Sequence, residues 1–263
     1  MAFDNSKLSL KEIEALEYHY LLKYWYFLKF AEDDILKGLN TMNDIKADWD
    51  GKYGGSGGTS QFDVGCERII YALLNGKVAG QPNSNPVSSD LFFEVDDAYI
   101  HIDLKSVTTS EGGDKDNIGD FSNSIFVGEN QNSYKGHMLV RETEEREYIP
   151  NLPTYYTNIR TGDKKITLTY FVCLLNSSKT LKSELISIMC MPNGRLEEYY
   201  KHRPLKAGKN PGKTRFYFSK IPTFELLEGE KKRVRIVHKN PEMSGYVKQK
   251  LNFYLSNFDP SID

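Results

Sequence analysis

Residues 88–107 read SSDLFFEVDDAYIHIDLKSV, in which apolar and polar side chains alternate on both sides of the acidic pair Asp96–Asp97. This alternation is typical of two half-buried strands joined by a tight turn. If residues 96 and 97 form the turn, Val95 pairs with Ala98, and the numbers of paired residues add up to 193. One face of the hairpin is then wholly apolar, and its members are Leu91, Phe93, Val95, Ala98, Ile100, Ile102 and Leu104. A slip of one residue would expose all of them, so the sequence predicts a single register.

The predicted register brings two acidic side chains together on the other face of the hairpin. Asp90 lies opposite Asp103, with the two side chains about 5 Å apart, and Lys105 follows on the same face. Facing carboxylates repel each other unless a proton or a cation lies between them, and carboxylate oxygens are ligands that Mg²⁺ prefers. A neighbouring lysine can orient a water molecule or stabilise developing negative charge. These residues predict metal-assisted hydrolysis of a phosphodiester; the alternative is a solvated face on which they only point outward.

The pattern of Asp90, twelve residues, and then Asp103-Leu104-Lys105 resembles the PD-(D/E)xK nuclease superfamily, whose two motif acids stand on successive strands. Ser89 occupies the position where that family commonly has proline. The resemblance implies that Asp90, Asp103 and the carbonyl of Leu104 bind Mg²⁺. It also implies that Lys105 orients the attacking water.

A predicted helix lies just upstream of the hairpin. Residues 59–76 begin with the possible N-caps Thr59 and Ser60 and end with the stop signal Asn75–Gly76. Its apolar stripe at helical spacing consists of Phe62, Cys66, Ile69, Ile70 and Leu73. Glu67 falls at the edge of this stripe. Many type II restriction endonucleases carry a glutamate on a helix before the catalytic hairpin, so the resemblance implies that Glu67 binds a second metal or its water. An ordinary surface glutamate paired with a cation is the alternative.

The remaining elements favour an α/β fold. Near-continuous apolar runs at 166–175 and 185–191 predict central strands that are covered on both faces. Helical spacing of Leu, Ile, Tyr and Trp predicts helix over 8–38, and a closing helix is predicted from Tyr246 to Leu255. By resemblance, we expect a restriction-endonuclease-like core with a mixed central sheet flanked by helices, followed by a basic C-terminal third rich in strands and loops.

Length and composition favour one large domain. The chain has 263 residues, of which 39% are hydrophobic, and its mean hydropathy is -0.53. We expect a single domain over 1–263, with the catalytic core at about 59–192 and the DNA-contacting part at about 199–250. Its three cysteines are far apart, and we find no membrane span, no signal peptide and no GxxxxGK[ST] loop. The expected protein is cytoplasmic and prokaryotic, without structural zinc and without a nucleotide cofactor.

Charge is distributed unevenly along the chain, although the net charge is only -2. Residues 201–250 hold 14 Lys or Arg against 4 Glu, which indicates a basic surface on an otherwise acidic body. Residues 201–218 read as a Gly/Pro-rich basic loop that leads into an aromatic strand, and a second basic run follows at 231–239. Such clusters neutralise DNA phosphates, whereas a charge-balancing solvated face is the alternative. The candidate DNA contacts here are Lys209, Lys213 and Arg215. Asn130 and Gln131 can hydrogen-bond adenine, although amide clusters usually form turns.

The resemblance implies a type II restriction endonuclease that hydrolyses double-stranded DNA with Mg²⁺ and leaves 5′-phosphates. Such enzymes usually act as homodimers on palindromic sites, because a two-fold protein matches a two-fold duplex. Two alternatives remain open. One is a repair or junction-resolving nuclease of the same fold, and the other is a DNA-binding protein that has lost the chemistry.

Overall fold

The computed structural model describes residues 2–53, 68–74, 91–109, 124–140, 144–177, 182–200, 205–207, 214–217 and 232–258. The helices in these ranges are α1 (Leu10–Phe30), α2 (Glu32–Tyr53), α3 (68–74), α4 (Glu197–Tyr200) and α5 (Gly245–Phe258), with 3-10 turns at Glu129–Gln131 and Gly194–Leu196. The strands are β1 (Leu91–Glu94), β2 (Ala98–Thr109), β3 (Ser124–Val127), β4 (Gly136–Val140), β5 (Glu144–Tyr148), β6 (Tyr155–Thr157), β7 (Lys164–Ser177), β8 (Ser183–Met191), β9 (Leu205–Ala207), β10 (Thr214–Tyr217) and β11 (Val234–Lys239).

The N-terminal helical segment consists of two helices. Ser9 caps α1 through a capping box, since its hydroxyl accepts from the backbone N–H of Glu12 and the Glu12 carboxylate accepts from the N–H of Ser9 at 2.8 Å. At Ala31 the backbone leaves helical geometry, and α2 then continues to Tyr53. The helix predicted over 8–38 is therefore confirmed in type but wrong in extent. Three acids in the first turn of α2 favour its start, because they oppose the positive end of the helix dipole.

Within the described residues, the central sheet has six strands in the order β1-β2-β7-β8-β11, with β6 pairing to the start of β7. Among these described strand pairs only β2 and β7 are parallel, so the sheet is mixed. Strands β7 and β8 are buried almost throughout, which confirms the prediction of central strands at 166–175 and 185–191. Helix α5 contains the predicted closing helix and extends to Phe258. The α/β fold with a mixed central sheet flanked by helices is confirmed.

The β1–β2 hairpin has the register that its sequence predicts. Leu91 pairs with Ile102 and Glu94 pairs with Tyr99, and the N–H of Val95 donates to the carbonyl of Ala98 at 2.9 Å. The apolar face of the hairpin is buried from Leu91 to Ile102, and Leu104 is partly buried. The turn at 96–97 is held by α1, since the hydroxyl of Tyr20 donates to the Asp97 carboxylate at 2.5 Å.

Helix α1 covers one face of the central sheet. Tyr24 of α1 makes edge-on ring contacts with Phe93 of β1 and Tyr170 of β7. Tyr170 pairs with Ile102, so these side chains belong to the apolar face of the hairpin. The side chains of Asp103 and Lys105 project from the opposite face. The sheet therefore separates α1 from the acidic face of β2.

A buried ion-pair cluster joins α1 to the sheet. Arg233 is fully buried, and its guanidinium lies 2.8 Å from Glu14 and 2.8 Å from Glu17. Glu17 also accepts from the backbone N–H of Asn193 at 2.6 Å. Within the basic run at 231–239, residues Val234–Lys239 form the predicted strand, β11, but Arg233 just before it is buried in the interior. Its charge neutralises buried acids instead of contributing to a basic surface.

Two smaller sheets complete the described chain. One contains β3, β10 and β9, and the other is the β4–β5 hairpin. The predicted aromatic strand after the basic loop is confirmed as β10. Upstream, Ile70 and Leu74 of α3 are buried, and Ile69 and Leu73 pack against the core. The predicted apolar stripe is thus present at Ile69, Ile70 and Leu73, with Leu74 added to it.

Candidate active site

The candidate active site lies on β2, where Asp103 and Lys105 stand on the same face of the strand. Asp103 pairs with Phe171 of β7, and Lys105 pairs with Cys173. These two β7 side chains are buried and form an apolar floor beside the charged pair. Asp103 is only 3% exposed, and the side chain of Lys105 is 20% exposed. A solvated face is therefore the wrong interpretation for this part of the hairpin.

The charged groups of Asp103 and Lys105 are in direct contact. The Lys105 ammonium forms an ion pair with Oδ2 of Asp103 and lies 5.4 Å from the centre of the Phe171 ring. A cation beside the face of an aromatic ring is attracted by the ring quadrupole. The ion pair and the ring together hold the lysine against the strand.

Gln131 bridges this ion pair. Its Nε2 donates to Oδ1 of Asp103 at 2.7 Å, and its Oε1 accepts from Nζ of Lys105 at 3.0 Å. The same oxygen accepts from the backbone N–H of Gly128 at 2.7 Å. From the sequence, Gln131 is predicted only as a possible DNA contact, with no connection to the hairpin. No local signal makes that connection, because the two segments are 28 residues apart and meet only in the fold.

The turn that carries Gln131 is held in place from behind. Asn132 is fully buried, and its Nδ2 donates to the hydroxyl of Tyr148 at 2.8 Å. That hydroxyl donates in turn to the carbonyl of Gly128 at 3.0 Å. The carboxamide oxygen of Asn132 accepts from the backbone N–H of Tyr134 at 2.9 Å. These bonds fix the backbone on both sides of Gln131.

Burial shifts the pKa values of two titratable groups near the ion pair so that both groups stay uncharged. His101, two residues before Asp103 on the same face, is fully buried, and burial followed by the charge of Lys105 lowers its pKa to about 3. Burial raises the pKa of Cys173 to about 12. The imidazole and the thiol are therefore neutral near pH 7. The alternation of the hairpin placed His101 on this face, but its burial is a property of the tertiary structure.

The other predicted site residues are placed only in part. Asp90, Glu67, Lys209 and Lys213 lie outside the described residues. Leu104, Arg215 and Asn130 lie within them. Leu104 lies between the two charged residues in β2. Arg215 lies in β10, opposite Phe126 of β3 and Lys206 of β9. Asn130 is exposed, and its carboxamide oxygen accepts from Asn151 at 2.9 Å.

Within the described ranges, no three His, Cys, Asp or Glu side chains come together as a metal-binding group. The oxygen donors present are the Asp103 carboxylate and the Leu104 carbonyl, which are of the hard type that Mg²⁺ takes. Mg²⁺ is commonly bound by one or two carboxylates together with waters and substrate phosphates. This donor set therefore fits such an ion without a complete protein cage.

Two family models match successive parts of the chain. The N-terminal domain of the type II restriction enzyme MwoI matches residues 9–180, and the central domain of the same enzyme matches residues 184–238. The boundary between the two matches falls between β7 and β8, which are neighbours in the central sheet. No curated protein matches the chain.

Two solved structures share the fold. The tetrameric restriction endonuclease SfiI, bound to cognate DNA, has a TM-score of 0.66 at 15% identity and covers 92% of this chain and 90% of its own. The restriction endonuclease BglI, bound to its DNA recognition sequence, has a TM-score of 0.59 at 13% identity, with coverages of 85% and 93%. At these identities the likeness concerns the fold.

In the described part of the chain, none of the helices has the length and apolar character that crossing a membrane requires. Restriction endonucleases of this kind generally use divalent metal ions and act on double-stranded DNA. The resemblance in the hairpin, the mixed sheet and the family match over residues 9–180 agree with one another. The chain belongs to the family of the type II restriction enzyme MwoI and is a site-specific deoxyribonuclease.

Proposed function

We propose that this enzyme uses Mg²⁺ to hydrolyse one phosphodiester in each strand of a specific DNA sequence, leaving 5′-phosphates. The observation that carries the proposal is the Asp103–Lys105 ion pair, in which the carboxylate is buried and the lysine is partly buried, on one strand face beside an apolar floor. A buried carboxylate that is paired with an ammonium is costly to maintain for stability alone. The same pair at the edge of a cleavage site would supply a metal ligand and a fixed positive charge.

The proposed metal ligands are Asp103, the carbonyl of Leu104, and Asp90. The described register supports the inclusion of Asp90, because Leu91 lies opposite Ile102 and each residue is the chain neighbour of one of the two acids. Glu67 is proposed to bind a second metal or its water, since it directly precedes the helical residues 68–74, whose buried stripe packs into the core. When bound, Mg²⁺ lowers the pKa of a water ligand and neutralises negative charge on the phosphate.

Lys105 is proposed to orient the attacking water and to stabilise the charge that develops on the phosphoryl oxygens. In the reaction, the water oxygen forms a bond to phosphorus and the bond from phosphorus to the 3′ oxygen breaks. The 3′ oxygen takes up a proton, and the surplus proton of the water leaves to solvent. The products are a 5′-phosphate and a 3′-hydroxyl. The ammonium is held at two points, by Asp103 and by Gln131, so little reorganisation is needed when charge develops.

DNA is proposed to contact the basic C-terminal third through Lys209, Lys213 and Arg215, with Asn130 near the site. Support comes from the strand neighbours: β10, which carries Arg215, pairs with β3, and β3 leads directly into the turn at Glu129–Gln131. We also propose a single domain and a homodimer acting on a palindromic site. For the domain, the support is that β11, from the C-terminal third, pairs with β8 in the central sheet.

The first test is incubation of the purified enzyme with plasmid and phage DNA in Mg²⁺ and in EDTA. Discrete fragments that appear only with Mg²⁺ are expected, and end-labelling would detect the 5′-phosphates. A smear would indicate a nuclease without site preference, and retarded but intact DNA would indicate a binding protein without chemistry. Either result would refute the proposal.

Two variants identify the site within this assay. Asp103→Asn removes the negative charge with little change in volume and should abolish cleavage. Asp34→Asn makes the same chemical change at an exposed position of α2 and should cut at the wild-type rate. Equal cleavage by both variants would place the chemistry elsewhere.

A further inference from the structure

The carboxamide of Gln131 is oriented by its three hydrogen bonds. The backbone N–H of Gly128 and the Lys105 ammonium are both hydrogen-bond donors and cannot accept. The Gln131 atom that they both contact must therefore be the carboxamide oxygen. The nitrogen end is then directed at Oδ1 of Asp103. A glutamine satisfies an ammonium and a carboxylate at the same time, whereas glutamate lacks the donor and methionine lacks both groups.

These bonds fix the relative positions of the two charged groups on β2. Oδ1 of Asp103 is occupied by Gln131, which leaves Oδ2 as the oxygen that faces Lys105. Side chains two residues apart on a strand have separate rotamer freedom, and a lysine side chain carries about 2 kcal/mol of rotamer entropy. The carboxamide removes that freedom from both side chains with one contact each.

The turn is backed by packing that leaves little room for Gln131 to move. A Cβ at Gly194 would overlap the carbonyl oxygen of Ser133, so the 3-10 turn at 194–196 lies directly against the backbone near Gln131. The N–H of Gly194 also donates to the hydroxyl of Ser133 at 3.0 Å. Asn193, the residue before it, is held by the buried carboxylate of Glu17. The turn is thus connected through short contacts to the cluster that joins α1 to the sheet.

We infer that Gln131 is a positioning residue of the cleavage site, which holds the Lys105 ammonium and the Asp103 carboxylate in the geometry needed for catalysis. The inference rests on the proposed function, because it assigns to Lys105 and Asp103 the roles given there. It differs from a role of Gln131 in reading adenine, since a carboxamide engaged by Asp103, Lys105 and Gly128 has to break these bonds before it can contact a base.

The test uses the full-length enzyme with Gln131→Met, Gln131→Glu and the control Gln249→Met, which changes an exposed glutamine of α5 in the same way. Single-turnover cleavage of a saturated cognate duplex is measured in Mg²⁺. Duplex affinity is measured in Ca²⁺, on cognate and single-mismatch sites. We expect Gln131→Met to slow cleavage by about 10- to 100-fold with duplex affinity and mismatch preference unchanged. The control should match wild type.

Gln131→Glu separates the two contacts. The new carboxylate can still accept from Lys105 and Gly128, but it repels Asp103 and cannot donate to it. Cleavage should therefore be slowed at least as much as in Gln131→Met. Wild-type cleavage by Gln131→Met would overturn the inference. Relaxed preference at one base position with an unchanged rate would also overturn it, and would assign Gln131 to DNA reading.

A second measurement does not depend on cleavage. In metal-free enzyme without DNA, acylation of individual lysines is followed by mass spectrometry of the digested protein. Lys105 should lose protection in Gln131→Met relative to wild type, while Lys135 serves as an exposed internal reference. Unchanged protection of Lys105 in a variant with the wild-type unfolding temperature would overturn the inference even if wild-type enzyme fails to cut. Failure of wild-type cleavage with loss of protection in the variant would refute only the proposed function.

Discussion

Replacing the buried arginine should destabilise the enzyme more than any other single change on β11 or its flanks. Arg233→Met removes a guanidinium that lies 2.8 Å from each of two carboxylates, those of Glu14 and Glu17, and leaves these acids buried without their cation. Breaking a buried pair by removing one partner costs about 3–5 kcal/mol. For a chain of this length, the corresponding loss in Tm is roughly 10 °C. Urea denaturation followed by tyrosine and tryptophan fluorescence measures the difference.

The loss of stability in Arg233→Met should also depend on pH, and the direction of that dependence follows from the pKa of Glu17. Burial raises the pKa of Glu17 above its usual value of 4.5, and Arg233 opposes that shift. A group whose pKa is raised by folding contributes stability that is fully present below the unfolded pKa and is lost as pH rises through the folded pKa. Without Arg233 the folded pKa rises further. The deficit of the variant should therefore be largest at neutral pH and should shrink as the pH falls towards 4.5.

Arg235→Met is the matched control. Arg235 is two residues along the chain in β11, donates to the hydroxyl of Tyr18 at 2.7 Å, and lies 5.5 Å from the ring centre of Trp25. It is partly exposed, and its contacts with a neutral hydroxyl and an aromatic ring predict a smaller loss, of about 1 kcal/mol. If both variants lost the same stability, or if Arg233→Met lost less than about 1 kcal/mol, the buried carboxylates would not carry the charge assigned to them.

Three further predictions concern catalysis and DNA binding. Asp103→Ala and Lys105→Ala should each abolish cleavage without unfolding the protein, and cleavage by both variants would contradict the proposed site. Without metal, Asp103→Ala should bind the duplex as tightly as wild type or more tightly, because its carboxylate no longer repels phosphate. When binding is measured in Ca²⁺ across a salt series, Lys213→Ala should weaken binding to every duplex and lower the salt slope by about one. Arg215→Ala should relax the preference at one base pair and lose roughly 1–3 kcal/mol of binding free energy. Unchanged affinity in both variants would place the DNA elsewhere. Gly194→Ala should lower both the cleavage rate and the unfolding temperature, because its Cβ would displace the backbone of Ser133, next to the turn at Glu129–Gln131. Wild-type values for both would show that the backbone accommodates the Cβ without effect.

The β1–β2 hairpin could be predicted from its residue pattern alone. Alternation with period two fixes which residues share a face, and an apolar face of seven residues makes every other register costly. The pairs from Leu91–Ile102 to Val95–Ala98 could therefore be predicted residue by residue. Long apolar runs predicted β7 and β8 for a similar reason, since only strands covered on both faces can be apolar throughout.

The extent of the N-terminal helices was not predictable in the same way. Ala31 carries no helix-breaking side chain, so the end of α1 and the continuation of α2 to Tyr53 depend on packing. The basic run at 231–239 was likewise ambiguous, because its alternating pattern is the same whether its cations face DNA or a buried acid. Arg233 faces the interior because it pairs with Glu14 and Glu17, which are 219 and 216 residues away along the chain.

The sequence by itself determined the hairpin, its register, and the adjoining positions of Asp103, Leu104 and Lys105 on one strand. These features depend on interactions between residues that are close together in the chain. What only the tertiary structure decided is the environment of those residues. Their burial comes from β7, which lies beside β2 through a crossover of more than fifty residues, and the contact with Gln131 comes from a turn in that crossover. Such contacts depend on how separate segments pack in three dimensions, and neither periodicity nor local spacing records that packing.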